Sequence, residues 1–300
     1  LSSINIINSK ILIKWSVKIS AMLLEIFGSY DDYISKELNQ VKLHKGQNEI
    51  ALSIRKILET SNLTTSRYSG EEKNFQEFYS IRCTPQVLGP ILDTINFSEL
   101  VVENEINSVD DNPIVDIDNK KIVHGGNFHG DYISLEMDKL KIAITKLTML
   151  TERQLNLLLN SKVNKILPPF LNTGKLGLNY GMQGVQFTAT STTAESQMLS
   201  NPMSVHSITC NNDNQDIVSM GTNSALIARK VIDNAFQVMS IQLLACVEAF
   251  EILKLKDQAC NETKHTLNTF KKLIGSNCKD DNVFYSKLKK TESYLRNSYD

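Results

Sequence analysis

TNSALIARKVIDNAFQVMSIQLLACVEAFEILKL, residues 222–255, contains neither glycine nor proline. Within it Ala228, Val231, Ile232, Ala235, Val238 and Met239 recur at steps of three and four, the spacing of one face of an α-helix. Glycine and proline most weaken a helix interior, so no local signal ends this one early. It is far longer than the mean globular helix of about 11 residues. A helix this long and this apolar requires other helices packed along its length.

Working outward, the stretch 131–160 reads the same way. It also lacks glycine and proline, with Leu140, Ile144, Leu147, Leu155 and Leu158 at helical spacing. Asp131 is placed to cap it. Leu178–Ser200 reads as a third long helix with small residues on one face. Ile11–Phe27 and Ile50–Glu59 read as shorter helices. Phe75–Thr94 is a further helix that Pro85 should kink or restart. Leu167-Pro168-Pro169-Phe170 marks a turn. The strand signal is Ile114-Val115-Asp116-Ile117 against Lys121-Ile122-Val123 across Asp118-Asn119-Lys120, a small hairpin. From Cys260 onward the chain is more polar and reads as peripheral helices. The expected organisation is a helical core over 1–256 and a C-terminal part over 257–300. The expected fold class is mainly α, a bundle of long antiparallel helices with polar loops at their ends and one small β-hairpin. Helices apolar on more than one face predict packing against partner subunits.

Composition narrows the function. The 300 residues carry 32 basic and 33 acidic side chains, a formal net charge of -1. No basic stripe marks a nucleic-acid binder. Apolar runs such as Ala21–Leu24 are too short to cross a bilayer, and the start at Leu1 shows no signal-peptide layout. Cys83, Cys210, Cys246, Cys260 and Cys278 are scattered, without paired spacing. That points away from disulfides and zinc and toward a reducing cytoplasm.

Four polar groups could carry chemistry. Gln76-Glu77-Phe78-Tyr79-Ser80-Ile81-Arg82, read as helix, puts Gln76, Tyr79 and Arg82 on one face. A phenol beside a guanidinium suits a substrate carboxylate, which arginine grips with two parallel hydrogen bonds; the plainer reading is a solvated face. Asn107-Ser108-Val109-Asp110-Asp111-Asn112-Pro113 is good turn chemistry and needs no further role. Gly125-Gly126-Asn127-Phe128-His129-Gly130 offers two glycines for close backbone approach, an amide, a ring and an imidazole. With His124 it is a weak metal pattern, and no metal is expected. Asn211-Asn212-Asp213-Asn214-Gln215-Asp216 precedes the longest helix. Asp216 reads as its cap, but one cap does not explain so many polar residues. Amide clusters beside long apolar helices predict a buried, hydrogen-bonded polar site.

In this order and spacing the groups resemble the aromatic amino acid ammonia-lyase family, which includes histidine, phenylalanine and tyrosine ammonia-lyases and tyrosine 2,3-aminomutases. The matching text begins with Gln76-x-x-Tyr79-x-x-Arg82-Cys83-x-Pro85-Gln86-Val87-Leu88-Gly89, followed by Glu105-Ile106-Asn107-Ser108-x-x-Asp111-Asn112-Pro113. Gly125 to Gly130, Glu152-Arg153, Leu167 to Leu171, Gly177-Leu178-Asn179 and Asn214-Gln215-Asp216-x-Val218-Ser219-Met220-Gly221 complete it. The resemblance implies a fumarase/aspartase-like helical bundle, a homotetramer that builds each site from several subunits, and removal of ammonia from an L-amino acid. It implies a methylidene-imidazolone (MIO) electrophile made by cyclisation of an internal Ala-Ser-Gly.

The same resemblance gives each position a role. Arg82 would bind the substrate carboxylate. Tyr79 would sit by the reacting carbons as a catalytic residue. Gln76 and Asn112 would hydrogen-bond around the site, Asn112 near the electrophile. Phe128 would pack under the prosthetic group or the substrate ring. Gln215 would lie near the amine, supported by Asn214. Histidine lyases carry Glu where Gln215 stands, which favours tyrosine or phenylalanine. Asn211 resembles the asparagine of bacterial tyrosine lyases and aminomutases, where the plant phenylalanine type has Glu. No Ala-Ser-Gly occurs in these 300 residues. The expectation is therefore a C-terminal part whose Ala-Ser-Gly, loop tyrosine and specificity loop lie upstream of Leu1, inactive alone. The alternatives are a tyrosine 2,3-aminomutase and a non-catalytic helical assembly protein.

Overall fold

The computed structural model describes residues 1–65, 76–175, 177–275 and 283–297; Phe75 and Cys278 lie outside the described residues. The helices are α1 (Ser2–Ile26), α2 (Lys36–Gln40), α3 (Lys45–Leu58), α4 (Tyr79–Arg82), α5 (Thr84–Ile106), α6 (Asp131–Leu159), α7 (Ser161–Asn164), α8 (Gln183–Leu199), α9 (Gly221–Leu253), α10 (Asn261–Ile274) and α11 (Phe284–Asn297). Strands β1 (Ile114–Asp116) and β2 (Lys121–Val123) pair antiparallel with Ile114 opposite Val123 and Asp116 opposite Lys121. Ile117 falls in the turn, whose shape is set by Asp116: its carboxylate accepts from Asn119 N at 3.1 Å and Asn119 Nδ2 at 2.8 Å.

The uninterrupted pattern of 222–255 becomes α9, the centre of the molecule. It is packed by α1, α6, α8 and α11, and Ala228, Val231, Ile232, Ala235, Val238 and Met239 are all buried. By length and hydropathy α9 could cross a membrane, which short apolar runs did not reveal; 72% of its most apolar window is instead buried against the other helices. That is the composition of a core helix with several covered faces.

Contacts along the bundle give its directions. Ser134 Oγ meets Ser224 Oγ at 3.0 Å, and Gln242 Nε2 donates to Gln154 Oε1 at 2.7 Å. So α6 and α9 run side by side in the same sense. Asn5 reaches Ala225 O at 2.9 Å and Ser20 meets Gln154 at 3.3 Å, which sets α1 parallel to both. Ser98 donates to Glu136 while Ser80, just before α5, accepts from Gln154, so α5 runs the other way. Thr145 donates to Ser196 O and Gln186 to Asn156, so α8 also runs the other way. Successive long helices α1, α5, α6, α8 and α9 therefore reverse direction, and the bundle has two poles.

Several boundaries differ from the sequence expectation, among them the start of α3, at Lys45 rather than Ile50. Helix α1 begins at Ser2 rather than Ile11, because Asn5 and Ser9 are buried polar residues, Asn5 Nδ2 donating to Ala225 O and Ser9 Oγ to Asn5 O, that break the apolar pattern without breaking the helix. Helix α8 begins at Gln183 rather than Leu178. Gly177 and Gly181 take φ of 86° and 59° ahead of it, backbone that a helix cannot use. Of the helix expected over Phe75–Thr94, residues 76–78 are not helical; α4 starts at Tyr79, Pro85 marks the restart as α5 in that helix's first turn, and α5 runs on to Ile106 rather than ending at Thr94.

The C-terminal helices are seated by named contacts. Buried Glu25 accepts from Ser61 Oγ at 2.6 Å, Cys260 N at 2.5 Å and Thr263 Oγ1 at 2.5 Å. Tyr294 packs edge-on against Trp15 and Phe270. Helices α3 and α5 cross at two glycines. A Cβ on Gly89 would stand 2.6 Å from Gln47 N, and one on Gly46 would strike Gly89 O. Both obstacles are backbone and cannot rotate away. Alanine gains about 1 kcal/mol over glycine in a helix interior, but overpacking costs about 1–3 kcal/mol or more. Gly89→Ala is therefore expected to lower the denaturation midpoint, and an unchanged or raised midpoint would contradict this crossing.

Candidate functional site

One pole carries two connections, 107–130 between α5 and α6 and 200–220 between α8 and α9, and they touch. His129 Nε2 donates to Ile217 O at 3.3 Å, since a carbonyl can only accept, and its Nδ1 lies 3.2 Å from Asp131 Oδ2. A Cβ at Gly130 would lie 3.3 Å from Ser219 Oγ, and one at Gly221 3.2 Å from Gly130 O, so close approach explains these glycines. Gly125 and Gly126 differ. A Cβ on either meets nothing within 4 Å, and neither has left-handed φ. Asn112 Oδ1 accepts from Gly125 N at 2.9 Å, which ties the Asp-Asn-Pro turn to the glycine loop. Phe128 is 57% exposed beside them.

Within 200–220, Cys210 and Gln215 exchange both main-chain hydrogen bonds, at 3.1 and 3.2 Å, and Cys210 Sγ lies 3.2 Å from Gln215 Oε1. The loop they close holds Asn211, Asn212 and Asp213 at φ of 54°, 53° and 61°. Asn and Asp tolerate this left-handed backbone best after glycine. The turn therefore accounts for much of the polar run, Asn211 included, without a ligand. Asp216 does not cap the following helix: α9 starts at Gly221 after Met220, which has φ of 55° and no side-chain cap. Asp131 is likewise the first residue of α6 rather than its cap, which is Gly130. Two helix N-termini without side-chain caps thus open at this pole, and their free N–H groups favour negative charge.

Tyr79 and Arg82 lie at the other pole. They face each other as the helical spacing implies, the Arg82 guanidinium 4.8 Å from the centre of the Tyr79 ring. Arg82 Nε is buried with no acceptor among the described residues. Gln76 is not on that helix face: it precedes Phe78, whose φ of -62° and ψ of 152° are extended, and is exposed. The short helix is fixed by Gln154 Nε2 donating to Ser80 O at 2.9 Å.

The poles are far apart. From Asp131 to Gln154 the axis of α6 rises about 34 Å, at about 1.5 Å per residue. One chain therefore unites Asn112, Phe128, Asn211, Asn214 and Gln215 at one end and holds Gln76, Tyr79 and Arg82 at the other. All of these except Arg82 are exposed. The buried site expected from the sequence is not formed by the described residues of a single chain, because none of them covers either group.

The family model for aromatic amino acid lyase matches residues 1–272. The chain belongs to the aromatic amino acid lyase family. A histidine ammonia-lyase from Caldanaerobacter subterraneus is 39% identical over 85% of this chain and 49% of its own length. A tyrosine ammonia-lyase from Cupriavidus metallidurans is 37% identical over 80% of this chain and 48% of its own length. The chain thus spans about half the length of the curated relatives it matches. Among solved structures, a tyrosine aminomutase from Streptomyces globisporus superposes with a TM-score of 0.92 and 30% identity, over 98% of this chain and 59% of that one. The mainly helical bundle is the fold of this family, in the fumarase/aspartase-like class.

Sequence reasoning missed what secures the family's loop 200–220 here. Buried Lys141 pairs with Asp138 at 2.6 Å and donates to Asn201 O at 2.7 Å, while Asp138 Oδ2 accepts from Ser204 N at 2.7 Å. An acid and a base three apart, on a helix face shared with Ser134, Thr145 and Thr148, were the available signal. Burial works to raise the Asp138 carboxyl, but hydrogen bonds from Lys141 and Ser204 outweigh it and hold it below the ordinary carboxylate value. A carboxylate lowered in the folded state stabilises above its unfolded pKa, and that contribution is lost as pH falls through the folded value. The pair is thus expected to weaken below about pH 4, and Asp138→Asn to flatten that acid dependence in denaturation measurements. Lys141→Met leaves Asp138 buried without a counter-charge, a loss of about 3–5 kcal/mol. A variant as stable as the parent would contradict this anchoring.

Proposed function

We propose that this chain is the C-terminal part of an ammonia-lyase that eliminates ammonia from L-tyrosine or L-phenylalanine. The observation that carries the reading is the division of the candidate residues into two complementary sets at opposite poles of one bundle. Copies packed antiparallel would bring Tyr79 and Arg82 of one against Asn112, Phe128 and Gln215 of another, and a homotetramer supplies such contacts. Each side chain suits its part. Arg82 presents a partly buried guanidinium for the substrate carboxylate. Tyr79, stacked on it, stands beside the carbon chain that follows that carboxylate. Gln215 in place of the Glu of histidine lyases favours a carbocyclic ring over imidazole.

The pole with Asn112 fits the MIO group. Open space beside Gly125 and Gly126 leaves room for it. Asn112 keeps its amide N–H groups available, because its oxygen already accepts from Gly125 N. Asn112 and Phe128 would hold the group there. When bound it supplies the electrophile that makes the amine a leaving group. The starts of α6 and α9 would stabilise negative charge developing nearby. A relative from Streptomyces globisporus, 34% identical, is named an MIO-dependent tyrosine 2,3-aminomutase. With the superposition above, it makes an aminomutase the second reading.

The chain alone is expected to release no product from tyrosine, phenylalanine or histidine. Co-expressed with the N-terminal part of the Cupriavidus enzyme, it is expected to release an unsaturated acid from tyrosine or phenylalanine, seen by chromatography. A β-amino acid product would favour the aminomutase, and turnover of histidine would overturn the ring preference. In that assembly Arg82→Met is expected to lower kcat/KM about 10- to 100-fold, the range of a charged hydrogen bond. Product from the chain alone would sink the fragment reading.

A further inference from the structure

We propose that His129 is a positioning residue that locks the loop bearing Phe128 to the loop bearing Gln215. The proposal deepens the reading above and rests on it. Phe128 precedes His129 directly, and Ile217 lies two residues after Gln215. The imidazole is the described side chain that hydrogen-bonds from 124–130 to the backbone of 205–220, through Nε2 to Ile217 O at 3.3 Å. Asp131 Oδ2, in the first turn of α6, lies 3.2 Å from Nδ1, an ion pair when the imidazole is charged. The ring is thus oriented from a rigid helix and fixes a loop from the neighbouring helix. The backbones beneath it are already close, with the Gly130 and Gly221 approaches on either side of Ser219. Sliding one loop on the other would break the His129 bond first.

The loop 211–215 needs such a hold. Its residues are exposed, three of them have left-handed backbone, and its internal closure is the Cys210–Gln215 pair. Nothing in that pair relates Gln215 to Phe128. His129 supplies that relation, so its removal leaves both side chains present and their mutual placement loose.

The test compares His129→Ala with His129→Gln, whose amide can still donate to a carbonyl. In the intact chain, hydrogen exchange of the Gln215 and Val218 amides is expected to rise about fivefold in H129A, the worth of one net hydrogen bond. It should return toward the parent in H129Q, with the global unfolding midpoint unchanged in both. In the assembly completed by the Cupriavidus N-terminal part, H129A is expected to lower kcat for tyrosine more than it raises KM, and H129Q to restore it. Unchanged exchange in H129A overturns the clasp. Faster exchange with unchanged kcat overturns the positioning role. If the parent assembly has no turnover, the lyase reading fails, and the exchange measurement still decides the clasp.

Discussion

The parallel packing of α6 on α9 governs the rest of the molecule. Two polar contacts pin that packing at its ends, Ser134 with Ser224 and Gln154 with Gln242. The first lies just inside the pole where both helices begin, under the loops that carry Asn112, Phe128 and Gln215. The second belongs to the residue that holds α4, with Tyr79 and Arg82. A buried hydrogen bond left half-made costs more than its net gain when formed. These two contacts therefore fix the register of helices whose apolar faces alone would allow sliding. The apolar core supplies the cohesion, and the polar pairs set the length over which the two sets of candidate residues are separated.

That separation changes what the polar loops mean. In one chain they are exposed, and the glycines at 125 and 126 serve neither a tight turn nor a close contact. Gly130 and Gly221, where a Cβ would press on Ser219 Oγ at 3.3 Å and on Gly130 O at 3.2 Å, are explained by close approach within the chain. The contrast marks where the chain is complete in itself and where it is shaped for something that approaches from outside. The Lys141–Asp138 pair and the His129 ring hold the outward-facing loops in place from the helices beneath them.

The fold was legible where a single physical signal dominated. Residues 131–160 and 222–255 differ from α6 and α9 by at most two positions at either end, because uninterrupted apolar periodicity needs no tertiary context. The start of α1 was hidden because Asn5 and Ser9 are buried polar residues that donate to partners distant in sequence or one turn away. The start of α8 was hidden because Gly181, inside the expected helix, takes a positive φ that its residue type alone does not reveal. At the site, residue types were legible and their placement was not. Tyr79 and Arg82 met as helical spacing implies, while Gln76 and Asp216 were assigned to helices that begin after them. Asn211 was read for chemistry although its backbone gives it a sufficient reason to be asparagine. Spacing along the chain does not reveal that a helix of about 34 Å stands between two motifs.

The central claim is that the two poles complete each other between copies. The most direct measurement mixes two variants of the completed assembly, one carrying Arg82→Met and the other Asn112→Ala, at opposite poles and each with turnover well below the parent assembly. If sites form between copies, subunit exchange creates some sites with neither defect, and turnover of tyrosine rises well above both parents. If the mixture stays as inactive as its parents while exchange of subunits is shown by mass, each site is built within one copy and the account is wrong.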